Sequence, residues 1–262
     1  MNVTVHGHSL EVAWHGPPPD QSPTIVLLHE GLGSVAAWRD WPATLARETG
    51  LGVLVYSRLG YGGSGPNPPP WPLTYMHDEA RVTLPALLDQ LAVRQALLVG
   101  HSDGGSIALL HAALPSAHRR VVGLVTLAAH VFCEDVSVTA IAAAREAYLH
   151  GDLRERLRRY QGDRVDGAFL GWNGAWLDPA FRHWSLVPDL PGIVAPLLVI
   201  QGHDDPYGTL AQVDAIERGV SGPVSRLILP GCGHSPWRER PAETTTAVRD
   251  FARSLCSVAP AT

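Results

Sequence analysis

The chain has 262 residues, 45% of them hydrophobic and 17% charged, with a formal net charge of -5. This balance fits one medium-sized folded domain with a sizeable core and excludes bulk disorder, while the acidic sum argues against a nucleic-acid partner. Every basic residue is arginine, so Schiff-base and phosphate-loop lysine chemistry is excluded. The three cysteines, Cys133, Cys232 and Cys256, are too few and too scattered for a disulfide framework or a metal cage. The N-terminal segment lacks an apolar signal core, and no apolar run approaches a membrane span. The expectation is a cytoplasmic protein with no membrane partner.

In chain order, residues 3–14 alternate as two short strands around a turn at Gly7 and His8. The loop Gly16-Pro-Pro-Pro19 follows. The apolar run 24–29 (TIVLLH) reads as a strand buried on both faces and ends in a glycine-rich loop. Helix over 36–49, strand over 52–57, helix over 76–91, strand over 96–101, helix over 103–114 and strand over 121–128 come next. Farther on, 196–201 is a strand, 210–218 a helix, 225–229 a strand and 239–255 a helix. This alternation predicts an α/β fold with a mostly parallel sheet covered on both faces, whose ligands bind beyond the C-terminal ends of its strands. Residues 131–190 break the rhythm. They carry helical patterns at 141–149 and 153–160 and many aromatic residues, which predicts an inserted helical cap over a core made of 1–130 and 191–262.

The sharpest chemical signal is Gly100-His101-Ser102-Asp103-Gly104, a G-x-S-x-G pattern fed by an apolar strand and followed by a helix. A tight strand-to-helix turn exposes the serine hydroxyl at a helix N-terminus, where the dipole favours developing negative charge. Serine needs a base held by an acid. In this architecture both should follow later strands, in the order acid then histidine. After strand 196–201 come Asp204 and Asp205, and after strand 225–229 comes His234. The two aspartates are adjacent, and the residues alone leave open which of them meets the histidine. The oxyanion donors should be the backbone N–H of Asp103 and one from the loop His29-Glu30-Gly31, where Gly31 permits close approach. Glu30 puts a carboxylate beside that site, and a polar network with Arg58 or His101 would give it a partner. Glu30, His130, Trp172, Trp176, Trp184 and Tyr207 are the candidate pocket residues. The glycines at 60–65 do not make a nucleotide loop, no metal-ligand spacing occurs, and the arginines at 154–159 interleave with acids as a solvated helix face.

These pieces together, LLHEGLGS at 27–34, YSRLGYGGSG at 56–65, VGHSDGG at 99–105, IQGHDDPYG at 200–208 and LPGCGHSPW at 229–237, resemble the α/β-hydrolase family with a helical cap. The resemblance implies Asp205 as the acid, Gly31 as an oxyanion donor and no cofactor for ester hydrolysis. Where the family usually has a glycine, this chain has Glu30. Family members that open epoxides or cleave haloalkanes use an aspartate nucleophile, and this chain has Ser102. The expected activity is a serine carboxylic-ester hydrolase acting on a small-molecule ester. A C–C hydrolase or a lactonase on the same site is the alternative, with Arg145 and Arg182 as candidate carboxylate binders, and a non-catalytic binding protein is the reading from another class.

Overall fold

The computed structural model describes residues 1–257, apart from the side chains of Cys256 and Ser257. Strands β1 (Asn2–Val5) and β2 (His8–His15) form a hairpin. Its two-residue turn, His6 and Gly7, has positive φ at both positions, the geometry that matches strand twist. The remaining strands are β3 (Thr24–Leu28), β4 (Gly52–Tyr56), β5 (Ala96–His101), β6 (Val121–Leu127), β7 (Leu197–Gly202) and β8 (Val224–Leu229). All eight join one sheet in the order β1-β2-β4-β3-β5-β6-β7-β8. β2 pairs antiparallel with β4, and from β4 to β8 every pairing is parallel.

The central strands are continuous apolar runs because helices cover both faces. In β3, Val26 and Leu28 face one core, and Ile25 and Leu27 face the other. The second core is closed by helices α1 (Trp41–Thr49) and α10 (Pro241–Ser257), and Trp38, Trp41 and Trp237 pack against one another within it. The first is covered by α2 (Tyr75–Asp78), α3 (Leu84–Gln90), α4 (Asp103–Ala112) and α8 (Leu210–Gly219). The parallel strands end on one edge, which brings the loops after β3, β5, β6, β7 and β8 together.

Between β6 and β7 lie α5 (Asp135–His150), α6 (Leu153–Gln161) and α7 (Val165–Leu177), followed by short 3-10 turns. A buried side chain of this segment, Gln161, helps fasten it to the strand ends. Gln161 Nε2 donates to the carbonyls of Leu32 and Gly33 at 2.7 and 3.0 Å, and its Oε1 accepts from the Gly62 N–H at 2.8 Å. Such a fully bonded buried amide fixes the register of the contact.

Three expectations about elements change. The helix expected over 36–49 begins only at Trp41. Ala36–Trp38 is a 3-10 turn, Arg39 takes φ +54, and Pro42 sits in the first helical turn, where its missing N–H costs nothing. The helix expected over 239–255 restarts at Pro241 after the short turn α9 (Pro236–Glu239). Helix α7 had no counterpart in the sequence reading. Its glycines (Gly167, Gly171, Gly174) lower helix propensity, and it is apolar on most sides, so the period of one buried stripe is lost. At Gly171 a Cβ would lie 2.2 Å from the Trp71 ring, so the glycine is a packing requirement.

Candidate active site

Ser102 occupies the junction between β5 and α4 with φ +52 and ψ -120, a region that L-residues rarely adopt. The turn closes because neighbouring positions lack side chains. A Cβ on Gly100 would come within 2.2 Å of the Gly104 carbonyl oxygen, and one on Gly104 within 2.0 Å of the Leu28 carbonyl oxygen. The Ser102 carbonyl accepts from the N–H groups of Gly105 and Ser106. Among the described residues, neither the Asp103 N–H at the start of α4 nor the Gly31 N–H has a protein acceptor. A Cβ on Gly31 would lie 2.0 Å from Trp172 Nε1, so the indole rests directly on this backbone.

Of the two adjacent aspartates, Asp205 meets His234. The imidazole Nδ1 lies 2.9 and 2.8 Å from its two carboxylate oxygens. Asp205 also accepts from the Tyr207 N–H and from Gln201 Nε2, each at 2.8 Å. Burial alone would raise its pKa, but the His234 hydrogen bond and charge and the Tyr207 N–H hold it below the usual carboxylate value. Asp204 turns outward and pairs with His203 at 2.8 Å, both well exposed. The His234 backbone carbonyl accepts from His101 Nε2 at 2.7 Å, and the ring packs beside Tyr207.

Ser102 and His234 line one cavity of about 500 Å3, together with Glu30, Gly31, Asp103, His130, Trp172, Trp176 and Tyr207. Among the described residues Ser102 Oγ makes no hydrogen bond to the His234 ring. Such contacts are commonly long before a substrate is bound. Trp184 is a correction: it lies outside the cavity lining and stacks on Phe181 at 5.3 Å and beside Trp176. Its slot is filled by the second layer of the aromatic cluster, which the residue pattern does not separate from the first. Arg182 pairs with Asp135 at the surface and Arg145 is exposed, and neither lines the cavity. Arginines 154 and 156 pair with Asp166 and Asp152. Arg238, which the sequence reading missed, is exposed at the cavity rim; its place four residues after His234 was the available signal. A separate cleft of about 530 Å3 between α1 and α10 contains none of Ser102, Asp205 and His234.

A buried polar network supports the floor. The Asp103 carboxylate accepts from Tyr75 Oη at 2.5 Å and Trp176 Nε1 at 3.3 Å and lies 3.9 Å from the Arg58 guanidinium. Trp176 belongs to α7, so this contact also ties the inserted helices to the serine turn. His130 donates from Nε2 to the Tyr207 carbonyl at 3.0 Å. Burial, with the His234 charge beside it, pushes its pKa down and keeps it neutral. Glu30 Oε2 lies 3.5 Å from His101 Nδ1. Burial opposes its ionisation, but the His101 imidazole beside it prevails and pushes its pKa down.

His29 carries a testable consequence. Its Nδ1 donates to the Glu30 carbonyl at 2.7 Å and its Nε2 accepts from the Arg58 N–H at 3.0 Å. Burial, and then the Arg58 charge, lower its pKa from 6.5 to about 3. The unfolded chain therefore takes up a proton as pH falls below its ordinary value, while the folded chain stays neutral, and stability declines with falling pH across that window. Between pH 7 and pH 5 wild type should lose about 2 kcal/mol more than His29→Gln, which has nothing to titrate there. Urea midpoints at the two pH values measure this, and equal losses would contradict a neutral buried His29.

A family model described as the alpha/beta hydrolase family matches residues 25–247. The chain is 26% identical to Epoxide hydrolase A of Mycobacterium tuberculosis over 97% of both chains. Its fold is similar to that of a carboxylesterase structure from the thaumarchaeon Nitrososphaera gargenis, with TM-score 0.80, 18% identity and coverage of 99% and 100%. It is likewise similar to the enol-lactonase from Burkholderia xenovorans LB400, with TM-score 0.72, 23% identity and coverage of 96% and 99%.

Proposed function

Because the chain belongs to the alpha/beta hydrolase family, we propose that it is a serine hydrolase that cleaves carboxylic esters through an acyl-enzyme intermediate. The observation that carries this reading is Ser102 at φ +52 on the strand-to-helix turn, sharing a cavity with a His234 whose Nδ1 is held by buried Asp205. Ser102 Oγ attacks the acyl carbon while His234 Nε2 takes its proton. The carbonyl oxygen becomes an oxyanion in front of the Gly31 and Asp103 N–H groups, and the α4 dipole adds to its stabilisation. His234 then returns the proton to the departing alcohol, and water enters by the same route in reverse to release the acid. Asp205 keeps the imidazole in the tautomer that leaves Nε2 free to accept.

The helices between β6 and β7 serve as a cap, with Trp172 and Trp176 forming the apolar wall for the acyl chain. Epoxide opening is disfavoured because the nucleophile position holds Ser102 rather than an aspartate. The C–C hydrolase alternative weakens because Arg182 and Arg145 lie off the cavity, which leaves exposed Arg238 at the rim as the cation lining it among the described residues. Nothing about the site opposes lactone substrates.

The test is a p-nitrophenyl ester series beside a dienoate ring-cleavage product, run on wild type, Asp205→Asn and Asp204→Asn. Asp205→Asn is expected to lose about 10,000-fold in kcat, as wrong-tautomer variants do. Asp204→Asn should change less than about fivefold, because an exposed pair is worth at most about 1 kcal/mol. Equal losses would remove Asp205 from its role, and dienoate turnover well above ester turnover would replace the ester reading with the C–C one.

A further inference from the structure

Glu30 is the unexplained group in the cavity. Its side chain is a quarter exposed, and it precedes Gly31, on whose backbone Trp172 rests. The other acids of the lining are occupied: Asp103 by Tyr75 and Trp176, and Glu239 by the N–H groups of Gly233 and Ser235. Glu30 has a single side-chain partner among the described residues, His101, which reaches one oxygen at 3.5 Å. The His101 Nδ1 is contested, because it also lies 3.3 Å from Trp237 Nε1, and when it accepts from the indole N–H it has no proton for Glu30. A carboxylate thus stands in a cavity walled by Trp172, Trp176 and Tyr207, with His101 at 3.5 Å as its one side-chain partner among the described residues. Aromatic faces and a carboxylate together form the usual surroundings of an organic cation, which gains from both while shedding water.

Resting on the ester-hydrolase reading, we infer that the acyl part of the substrate carries a positively charged nitrogen, and that Glu30 selects it. Glu30 adjoins the Gly31 oxyanion donor, whereas the departing alcohol faces His234, so the charge belongs on the acyl side. Among the described residues no other acid of the lining is free for this. Arg238 at the exposed rim would favour the opposite charge, and the same experiment weighs it.

Three p-nitrophenyl esters of matched length separate the cases: those of trimethylammoniobutyrate, its neutral tert-butyl isostere and hemiglutarate. In wild type the cationic ester should exceed its isostere in kcat/KM by about tenfold or more. In Glu30→Gln that ratio should fall toward one, whatever happens to the absolute rates. A wild-type preference for the neutral or the anionic ester would overturn the proposal, and so would a cationic preference that survives Glu30→Gln. If no ester is turned over, the ester-hydrolase reading fails separately, and binding of trimethylammoniobutyrate followed by tryptophan fluorescence decides about the site. Binding weakened about tenfold in Glu30→Gln would support a cation site, and no binding to wild type would overturn it.

Discussion

Ser102→Ala is expected to lower kcat toward any ester substrate by roughly a millionfold, the loss seen when a serine nucleophile is removed from an otherwise intact site. The cavity, the Gly31 and Asp103 N–H groups and the Asp205–His234 pair all remain, so substrate should still bind with little change. The same position makes a second, opposite expectation about stability. Ser102 and the alanine variant both hold φ +52, a conformation that costs about 1–3 kcal/mol in an L-residue. Ser102→Gly relieves that strain and gives back about 0.4–1 kcal/mol through the looser unfolded chain. The glycine variant should therefore be as inactive as the alanine variant yet melt higher, by roughly 2–4 °C for each kcal/mol recovered. Thermal melts of the two variants side by side read this directly. A glycine variant that melts below the alanine one would mean that the turn is not strained.

The largest effect on stability should come from Gly104→Ala. The new methyl would sit 2.0 Å from the Leu28 carbonyl oxygen, 2.4 Å from its carbon and 2.7 Å from the His29 carbonyl oxygen. All three are backbone atoms at the end of β3, so no rotamer change relieves the clash. Either α4 withdraws from the sheet or the oxyanion loop moves, and a loss of about 4 kcal/mol or more follows. Gly174→Ala is the matched control. It too is a helical glycine, but a Cβ there meets nothing within 4 Å. It should stabilise the chain by about 0.5–1 kcal/mol through helix propensity alone. Urea midpoints of the two variants should move in opposite directions. A Gly104→Ala variant near wild-type stability would show that the turn has slack.

Much of this architecture is legible from residues because its signals are local. The buried parallel strands are apolar runs, and the serine, the aspartate pair and His234 each follow such a run within a few residues. What sequence does not carry is the third dimension of close neighbours. Asp204 and Asp205 differ by one position, yet one faces solvent and the other the His234 ring, because the turn Asp205–Gly208 bends its backbone back onto the Asp205 carboxylate. Trp176 and Trp184 read alike, but the first joins Asp103 in the cavity wall and the second packs behind it. Helix α7 was hidden because its three glycines read as turn residues, whereas Gly171 serves packing against Trp71 and Gly174 is an exposed helical position. The Glu30 network was half visible: His101 and Arg58 were its expected partners, but Arg58 reaches the Glu30 carbonyl, and the carboxylate is left to His101 and the cavity.

The central claim is that Ser102 becomes acylated. Mass spectrometry of the enzyme quenched during turnover of a slowly deacylated p-nitrophenyl ester tests it most directly. The account expects one acyl group per chain, located on the peptide that contains Ser102 and absent from Ser102→Ala. Turnover that persists in Ser102→Ala, or an acyl group found on another residue, would contradict it.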